Sequence, residues 1–176
     1  IDCKNTFLHS TDDQVHLVGL GLKDTISIAT KDAVLVVDKN HTEEVRQAVE
    51  LLREKNVEQA EKSLNDFRPW GHFEILSKGK NFLVKRIQVN PNSKLSLQSH
   101  KYRSEHWVVV QGTAKVTLEN RVFSVSENES VYINVGAKHR LENNTKNVLT
   151  IIEVQTGSYL GEDDIIRFED EYKREH

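Results

Sequence analysis

The residues best suited to chemistry fall in two stretches, 95–112 and 135–143. Gln98 and His100 are two apart, so on a strand both side chains point to one face. Glu105 returns a carboxylate after a four-residue gap, and Gly112 closes the following strand with a turn. His139 brings a second imidazole from the later stretch. If Gln98, His100, Glu105 and His139 converge on one internal point, two imidazoles, a carboxylate and an amide oxygen make a divalent-metal site of mixed donors. The set suits Zn²⁺ first and also accepts Mn²⁺, Co²⁺, Fe²⁺ or Mg²⁺, with open positions for water or substrate. The competing reading is structural. A lone histidine on a strand is more often hydrogen-bonded than ligating, and with 8 His in the chain coincidental spacing is easy. His106 has the opposite strand parity to Glu105 and is expected to face away. His9, His16, His41, His72 and His176 attract no functional reading.

Positioning these groups falls to residues 71–156, which are strand-rich throughout. Strands are expected at 82–89, 106–110, 114–118, 121–125, 130–133 and 148–154, separated by turns such as Pro91-Asn92, Gln111-Gly112 and Val135-Gly136. Ala114, Val116 and Leu118 alternate with Lys115 and Thr117, which reads as an antiparallel sandwich or barrel with one buried face. Glu119-Asn120 predicts a tight hairpin, with Asn tolerating positive φ. The run 163–172 reads as a short terminal helix. Upstream, 42–64 reads as a helix with Thr42 as N-cap and Val45, Ala48, Val49 and Leu52 on one stripe. It is expected to act as a connector, stopped before Pro69 and Gly71. Residues 1–40 read as short strands at 15–18, 25–28 and 33–37, too few to cover one another, like the last coils of a β structure whose body lies upstream.

Composition narrows the function classes. The 176 residues carry 24 Lys+Arg against 27 Asp+Glu, a formal net charge of −3, which argues against a nucleic-acid partner held by bulk charge. Cys3 is the single cysteine, so no intrachain disulfide forms and a reducing cytoplasm is the simplest expectation. No apolar run approaches the ~20 residues that span a bilayer, so no membrane partner is expected. No signal-peptide pattern opens the chain. It begins at Ile1 rather than Met, and the expectation is a piece of a longer protein.

Glu105 to Gly112 and Gly136-Ala-Lys-His139-Arg-Leu-Glu-Asn143 resemble the two cupin motifs, Glu-x6-Gly and Gly-x2-His-x3-Asn. The usual first His is Gln98 here, and the usual proline before Gly136 is missing. Arg68-Pro-Trp-Gly71, Gln98-Ser-His100, Arg103-Ser-Glu-His-Trp107, His139-Arg-Leu-Glu-Asn143 and Gly157-Ser-Tyr-Leu-Gly-Glu-Asp-Asp164 together resemble the type II mannose-6-phosphate isomerases. Those form the C-terminal half of bifunctional enzymes that are also mannose-1-phosphate guanylyltransferases, and Gln in place of the first His is a feature of that family. Segments 5–10 and 30–36 look like the end of the guanylyltransferase half. The resemblance implies a mainly β fold: a cupin (jelly-roll) β-barrel over 67–176, preceded by a β-helix-like remnant over 1–40 and a linker helix over 41–66. The basic, glycine-rich loop of a guanylyltransferase is absent, so nucleotidyl transfer is expected only of a longer parent.

The activity implied is interconversion of mannose 6-phosphate and fructose 6-phosphate through a cis-enediolate, in GDP-mannose and polysaccharide biosynthesis. Its metal, held by Gln98, His100, Glu105 and His139, would be the electrophile. Arg103 matches an arginine of the family motif and is expected to contact the substrate phosphate or the enediolate. A surface arginine at a loop tip is the alternative. Lys101, Lys138 and Arg140 flank the ligands as further phosphate candidates, and Lys85 is expected to bind substrate with them. Lys85 and Arg86 are consecutive on a strand, so one faces inward and needs an anionic partner. For the general base the candidates are Glu153, Glu142 and a metal-bound hydroxide. Glu153 interrupts an apolar strand, with an ion pair to Lys85 or Arg86 as the structural alternative. Trp107 and Tyr132 read as packing, and Tyr159 with the acidic turn 162–164 either closes over the site or is solvated. By analogy with cupins a homodimer is expected. The competing functions are a non-catalytic sugar-binding cupin, a tail of the guanylyltransferase, and another metal-cupin enzyme such as an oxygenase.

Overall fold

Period-2 patterning sets the architecture. The computed structural model describes residues 1–61 and 63–172; residue 62 of the predicted connector, residues 173–176 of the predicted β unit, and with them His176, lie outside the described residues. The chain divides into a unit over Ile1–Ser63 and a second that begins at Leu64.

In the first unit, strands β1 (Phe7–Ser10), β2 (Thr25–Ala29) and β3 (Val34–Asp38) form one sheet, with β1 parallel and β3 antiparallel to β2. The strand expected at 15–18 does not form: the Val15 N–H bonds back to the Asp12 carbonyl in a turn. The helix expected over 42–64 is shorter, α1 running only over Val45–Glu54, which still contains the whole apolar stripe. Thr42 is not its cap. It lies inside a 3₁₀ turn over Lys39–Glu44, which Asp38 caps through the Asn40 N–H at 2.8 Å. The stop is local: Asn56 turns left-handed (φ 54°), and the Val57 N–H reaches the Leu52 carbonyl at 3.0 Å.

The second unit holds β4 (Asn65–Arg68), β5 (Gly71–Lys78), β6 (Phe82–Val89), β7 (Ser93–Lys94), β8 (Leu97–His100), β9 (Arg103–Gln111), β10 (Ala114–Leu118), β11 (Arg121–Val125), β12 (Ser130–Ile133), β13 (His139–Asn143), β14 (Leu149–Gly157) and β15 (Ile165–Glu169). They form two open sheets rather than one closed barrel. One has the order β12-β9-β14-β6-β5-β4; the other has β11-β10-β13-β8-β15, with β7 also on β13. Apolar residues of both sheets, including Ile87, Trp107 and Ile151 from one and Val116 and Leu141 from the other, bury a shared core. The predicted terminal helix is instead a 3₁₀ turn over Glu162–Asp164 followed by β15. Its flanking acidic residues read as a helix surface, but Ile165-Ile-Arg-Phe168 is an alternating run that pairs antiparallel with β8. The hairpin between β10 and β11 forms as expected, with the positive φ on Glu119 (52°) rather than on Asn120. Both motif glycines sit where Cβ is disfavoured, Gly112 at φ 88° and Gly136 at φ 82°.

Candidate active site

The inward-facing residues change character along each strand. On β9 the buried series runs Val109, Trp107, Glu105, Arg103; on β14 it runs Ile151, Glu153, Gln155; on β6, Val89, Ile87, Lys85; on β13, Leu141, His139. Antiparallel pairing brings the polar ends together: Glu153 lies opposite Trp107 and Lys85, and Gln155 opposite Glu105. One end of the interior is therefore hydrocarbon and the other is a buried charge cluster. Isolated charges there would be costly, so each must have partners.

Glu105 is the hub. Its Oε1 lies 2.9 Å from His100 Nε2 and accepts from Arg103 Nε (3.3 Å) and Gln155 Nε2 (3.1 Å). Its Oε2 accepts from Trp107 Nε1 at 3.1 Å and lies 3.6 Å from His139 Nε2. One ligand atom from each of His100, Glu105 and His139 lies within 4.8 Å of the others, and all three side chains are buried. The donor chemistry suits a divalent cation. His139 Nδ1 sits 2.9 Å from the Ala137 carbonyl, which fixes the proton on Nδ1 and leaves Nε2 as a bare lone pair aimed at Glu105. That Nε2 is buried without a hydrogen-bond partner, as is Nδ1 of His100, whose Nε2 has only Glu105 Oε1 beside it, and an unsatisfied imidazole lone pair in such a place is what a metal ion satisfies. Gln98 stands opposite His139 in register and, with Glu105, Arg103, Glu153 and Lys85, lines a cavity beside the two histidines; its Oε1 accepts the Ser96 hydroxyl at 3.0 Å.

Titration follows the same geometry. Burial alone would raise Glu105, but the hydrogen bond from His100 and the nearness of His139 and Arg103 hold it below the usual carboxylate range. Burial lowers His139, with the neighbouring Glu105 opposing, which favours the neutral imidazole that can ligate. Glu153 goes the other way. Burial first, then repulsion from Glu105, pushes it up to about 8 against the pull of Lys85 and Arg103. Its Oε1 accepts from Trp107 Nε1 (3.0 Å) and its Oε2 from Gln155 Nε2 (2.9 Å).

The remaining predicted site residues divide. Arg103 is fully buried and spans the cluster, its Nη1 bonding the Gly161 carbonyl at 2.9 Å. Lys85 is the inward member of its pair; Arg86 is half-exposed and bonds Glu74. Lys85 lines the cavity and bonds Glu162 at 2.5 Å, not Glu153. Lys101, Lys138 and Arg140 are not brought to the cavity: Lys101 sits over the Tyr102 ring, Lys138 over Phe168, and Arg140 pairs with Glu169. Glu142 pairs with Lys115 away from it. His106 faces out, stacked on the exposed Tyr132 at 4.5 Å. The sequence reading missed Gln155, Arg68, Arg167 and the indole N–H of Trp107 as parts of the site. Gln155 shares strand parity with Glu153, and Arg68 lies in the Arg-Pro-Trp-Gly segment, so both carried a signal. Arg167 was hidden by the mistaken terminal helix.

Residues 54–170 match the mannose-6-phosphate isomerase C-terminal family, and residues 1–52 match a MannoseP isomerase/GMP-like β-helix domain. The chain is similar to a putative mannose-1-phosphate guanylyltransferase of Vibrio cholerae (48% identical, over 94% of this chain and 35% of that protein). It is similar to the xanthan biosynthesis protein XanB of Xanthomonas campestris (45%, over 99% and 37%) and to the alginate biosynthesis protein AlgA of Pseudomonas syringae (45%, over 98% and 35%). It thus spans about a third of the length of these curated relatives. Among solved structures, oxalate decarboxylase from Bacillus subtilis matches 59% of this chain and 29% of its own, with TM-score 0.54 and 17% identity. The Lactobacillus farciminis oxalate decarboxylase formate complex matches 59% and 33%, with TM-score 0.53 and 20% identity. These share the cupin fold with the chain, and at such identity the likeness is one of fold alone.

Proposed function

The chain belongs to the mannose-6-phosphate isomerase C-terminal family, and from that membership we propose that its second unit is a metal-dependent aldose–ketose isomerase interconverting mannose 6-phosphate and fructose 6-phosphate. The observation that carries this reading is the buried His100, Glu105 and His139 triad, set beside a cavity that Glu153, Lys85 and Arg103 also line. A divalent ion held by those three residues, with Gln98 as a fourth donor, would supply Lewis acidity toward the sugar's carbonyl and hydroxyl oxygens.

The chain's own groups account for the rest. The reaction moves a proton between C2 and C1, so it needs one group that can both hold and release a proton near neutral pH. Glu153, raised to about 8, is poised for that at its carboxyl oxygens. Trp107 and Gln155 donate to those oxygens and hold the group in place. Arg103, fixed by Glu105 and Gly161, keeps a guanidinium beside the cluster, where negative charge develops on the sugar oxygens. Phosphorylated sugar is attracted by the cations of the cavity wall. A place in GDP-mannose and polysaccharide biosynthesis is supported by the xanthan and alginate proteins among the relatives. Nucleotidyl transfer is not assigned to these residues, since they contain no basic glycine-rich loop.

The test pairs elemental analysis with an isomerase assay on wild type and His100→Ala. Wild type should bind about one divalent ion per chain and turn over. H100A should lose both, its rate falling by about 100-fold or more. Fully metallated wild type that binds sugar phosphate without turnover would reduce the protein to a binding module, and unchanged metal content in H100A would move the ligands elsewhere.

A further inference from the structure

The Lys85–Glu162 pair is asymmetric. The Lys85 side chain is only 5% exposed and lies on a sheet strand, while Glu162 is 46% exposed on a three-residue turn. A rigid buried cation is thus neutralised by a carboxylate from a short surface segment. Lys85 is not alone there. Its Nζ sits 4.4 Å from the centroid of the Phe73 ring, and Arg68 approaches that ring at 5.9 Å. Lys85, Arg103 and Arg68 together hold the Glu162 carboxylate below its ordinary range against the opposing effect of burial. The point occupied by that carboxylate is therefore one where three cations favour an anion, at the wall of the same cavity as Glu105 and Glu153. Across the sheet, Lys85 lies directly opposite Glu153, one strand away (about 5 Å), and Glu105 is on the strand beyond, about 10 Å from Lys85 laterally. A ligand with its reacting carbons between Glu105 and Glu153 would have its far, anionic end on the Lys85 side.

We propose that Glu162 holds the place of the substrate's phosphoryl group, so that Lys85 and Arg68 form the phosphate subsite and a sugar phosphate binds by displacing the Glu162 carboxylate. This rests on the isomerase reading for the identity of the sugar, and adds which residues recognise its phosphate and what must move. Glu162 is an internal competitor. With it latched on Lys85, the cation is satisfied and buried; when a phosphate dianion arrives, the exposed turn releases and its carboxylate returns to water. The latch lowers the apparent affinity by the fraction of time it is open, so a latch closed ~90% of the time weakens phosphate binding ~10-fold. An unphosphorylated sugar has no anion to exchange and is indifferent to Glu162.

The test uses the full metal-loaded chain and isothermal titration with mannose 6-phosphate, mannose and inorganic phosphate. Glu162→Gln removes the competing charge on an exposed turn. It should tighten mannose 6-phosphate and inorganic phosphate by about five- to ten-fold and leave mannose unchanged. Lys85→Met should erase the preference for the phosphorylated sugar. Should K85M fail to fold, E162Q decides alone. Equal or weaker phosphate affinity in E162Q, or tightening of mannose to the same degree, overturns the proposal and leaves Glu162 as a structural strap. Failure of the isomerase reading shows separately, as metallated wild type without turnover.

Discussion

Asn143, the last residue of the Gly136–Asn143 motif, is expected to act as a clasp for the fold rather than as a site residue. It is fully buried, and its amide nitrogen donates to the carbonyls of Val89 (2.9 Å), Asn90 (3.1 Å) and Asn147 (2.8 Å). Two hydrogens serve three acceptors, so one bond is shared. Its Oδ1 accepts the Thr145 N–H at 3.0 Å and hydroxyl at 2.8 Å. Asn143→Ala strips these partners at once. The bond to Val89 is buried, and an orphaned buried group costs about 1–3 kcal/mol; the half-exposed partners can turn to water and cost about 0.5–1.5 each. The net expectation is a loss of about 3 kcal/mol, or about 12 °C in Tm for a unit of this size. The assay is urea unfolding followed by tryptophan fluorescence. Trp70 and Trp107 are the two tryptophans of the chain, both buried in the second unit, so the signal reports that unit alone. The midpoint should fall with the slope m unchanged. Asn143→Asp should be no better, since it places a charge against three carbonyls. A loss below about 1 kcal/mol in N143A would falsify the clasp.

Two further outcomes follow from single side chains. Glu153 ionises near 8 in the folded chain against an ordinary 4.5, so its contribution is fully present below about 4.5 and is lost as pH rises to about 8. In metal-free protein, the unfolding free energy of wild type relative to Glu153→Gln should therefore decline across that window, and a flat difference contradicts the buried, proton-holding carboxyl. Asp164 accepts the backbone N–H groups of Lys101 (3.0 Å) and Tyr102 (3.2 Å) at the turn between β8 and β9. Asp164→Ala should speed amide exchange at those two residues by about ten-fold; unchanged protection there would show that the clip does not hold the turn.

The candidate ligands were legible in part from one rule, and His139 came only with the second motif. Parity on a strand puts Gln98 with His100 and sets Glu105 against His106, and the fold keeps both relations, with His106 outside on Tyr132. The same rule required one of Lys85 and Arg86 to face inward without saying which, and it did not give the partner; the fold turns Lys85 in. Glu162 lies 77 residues away on a turn whose position depends on β15, and the acidic residues around β15 read as a helix face. The cations Lys101, Lys138 and Arg140 were placed by nearness in sequence to ligands. Arg140, next to His139 on β13, points to the opposite face and pairs with Glu169, while Lys101 and Lys138 lie in loops beside strands and each settles over an aromatic ring.

What parity lacks, antiparallel register supplies. On β9 and β14 the inward residues pass from apolar to polar, and the direction of that change alternates with strand direction. Once β9 and β14 are taken as neighbours, Glu105 and Glu153 must approach from opposite chain directions at one end of the sheet. Gln155 then falls opposite Glu105, and Trp107 opposite Glu153. The indole thus donates to both carboxylates because register places it between them, not because packing happened to need a large ring. The two carboxylates it joins are driven apart in proton affinity: at Glu105 the two imidazoles and a guanidinium outweigh burial, whereas at Glu153 burial and repulsion from Glu105 outweigh the pull of Lys85 and Arg103. A neighbouring pair with one member held ionised and the other held protonated is the arrangement acid–base chemistry at neutral pH requires. Here it arises from two sheet neighbours whose inward residues turn polar at the same end.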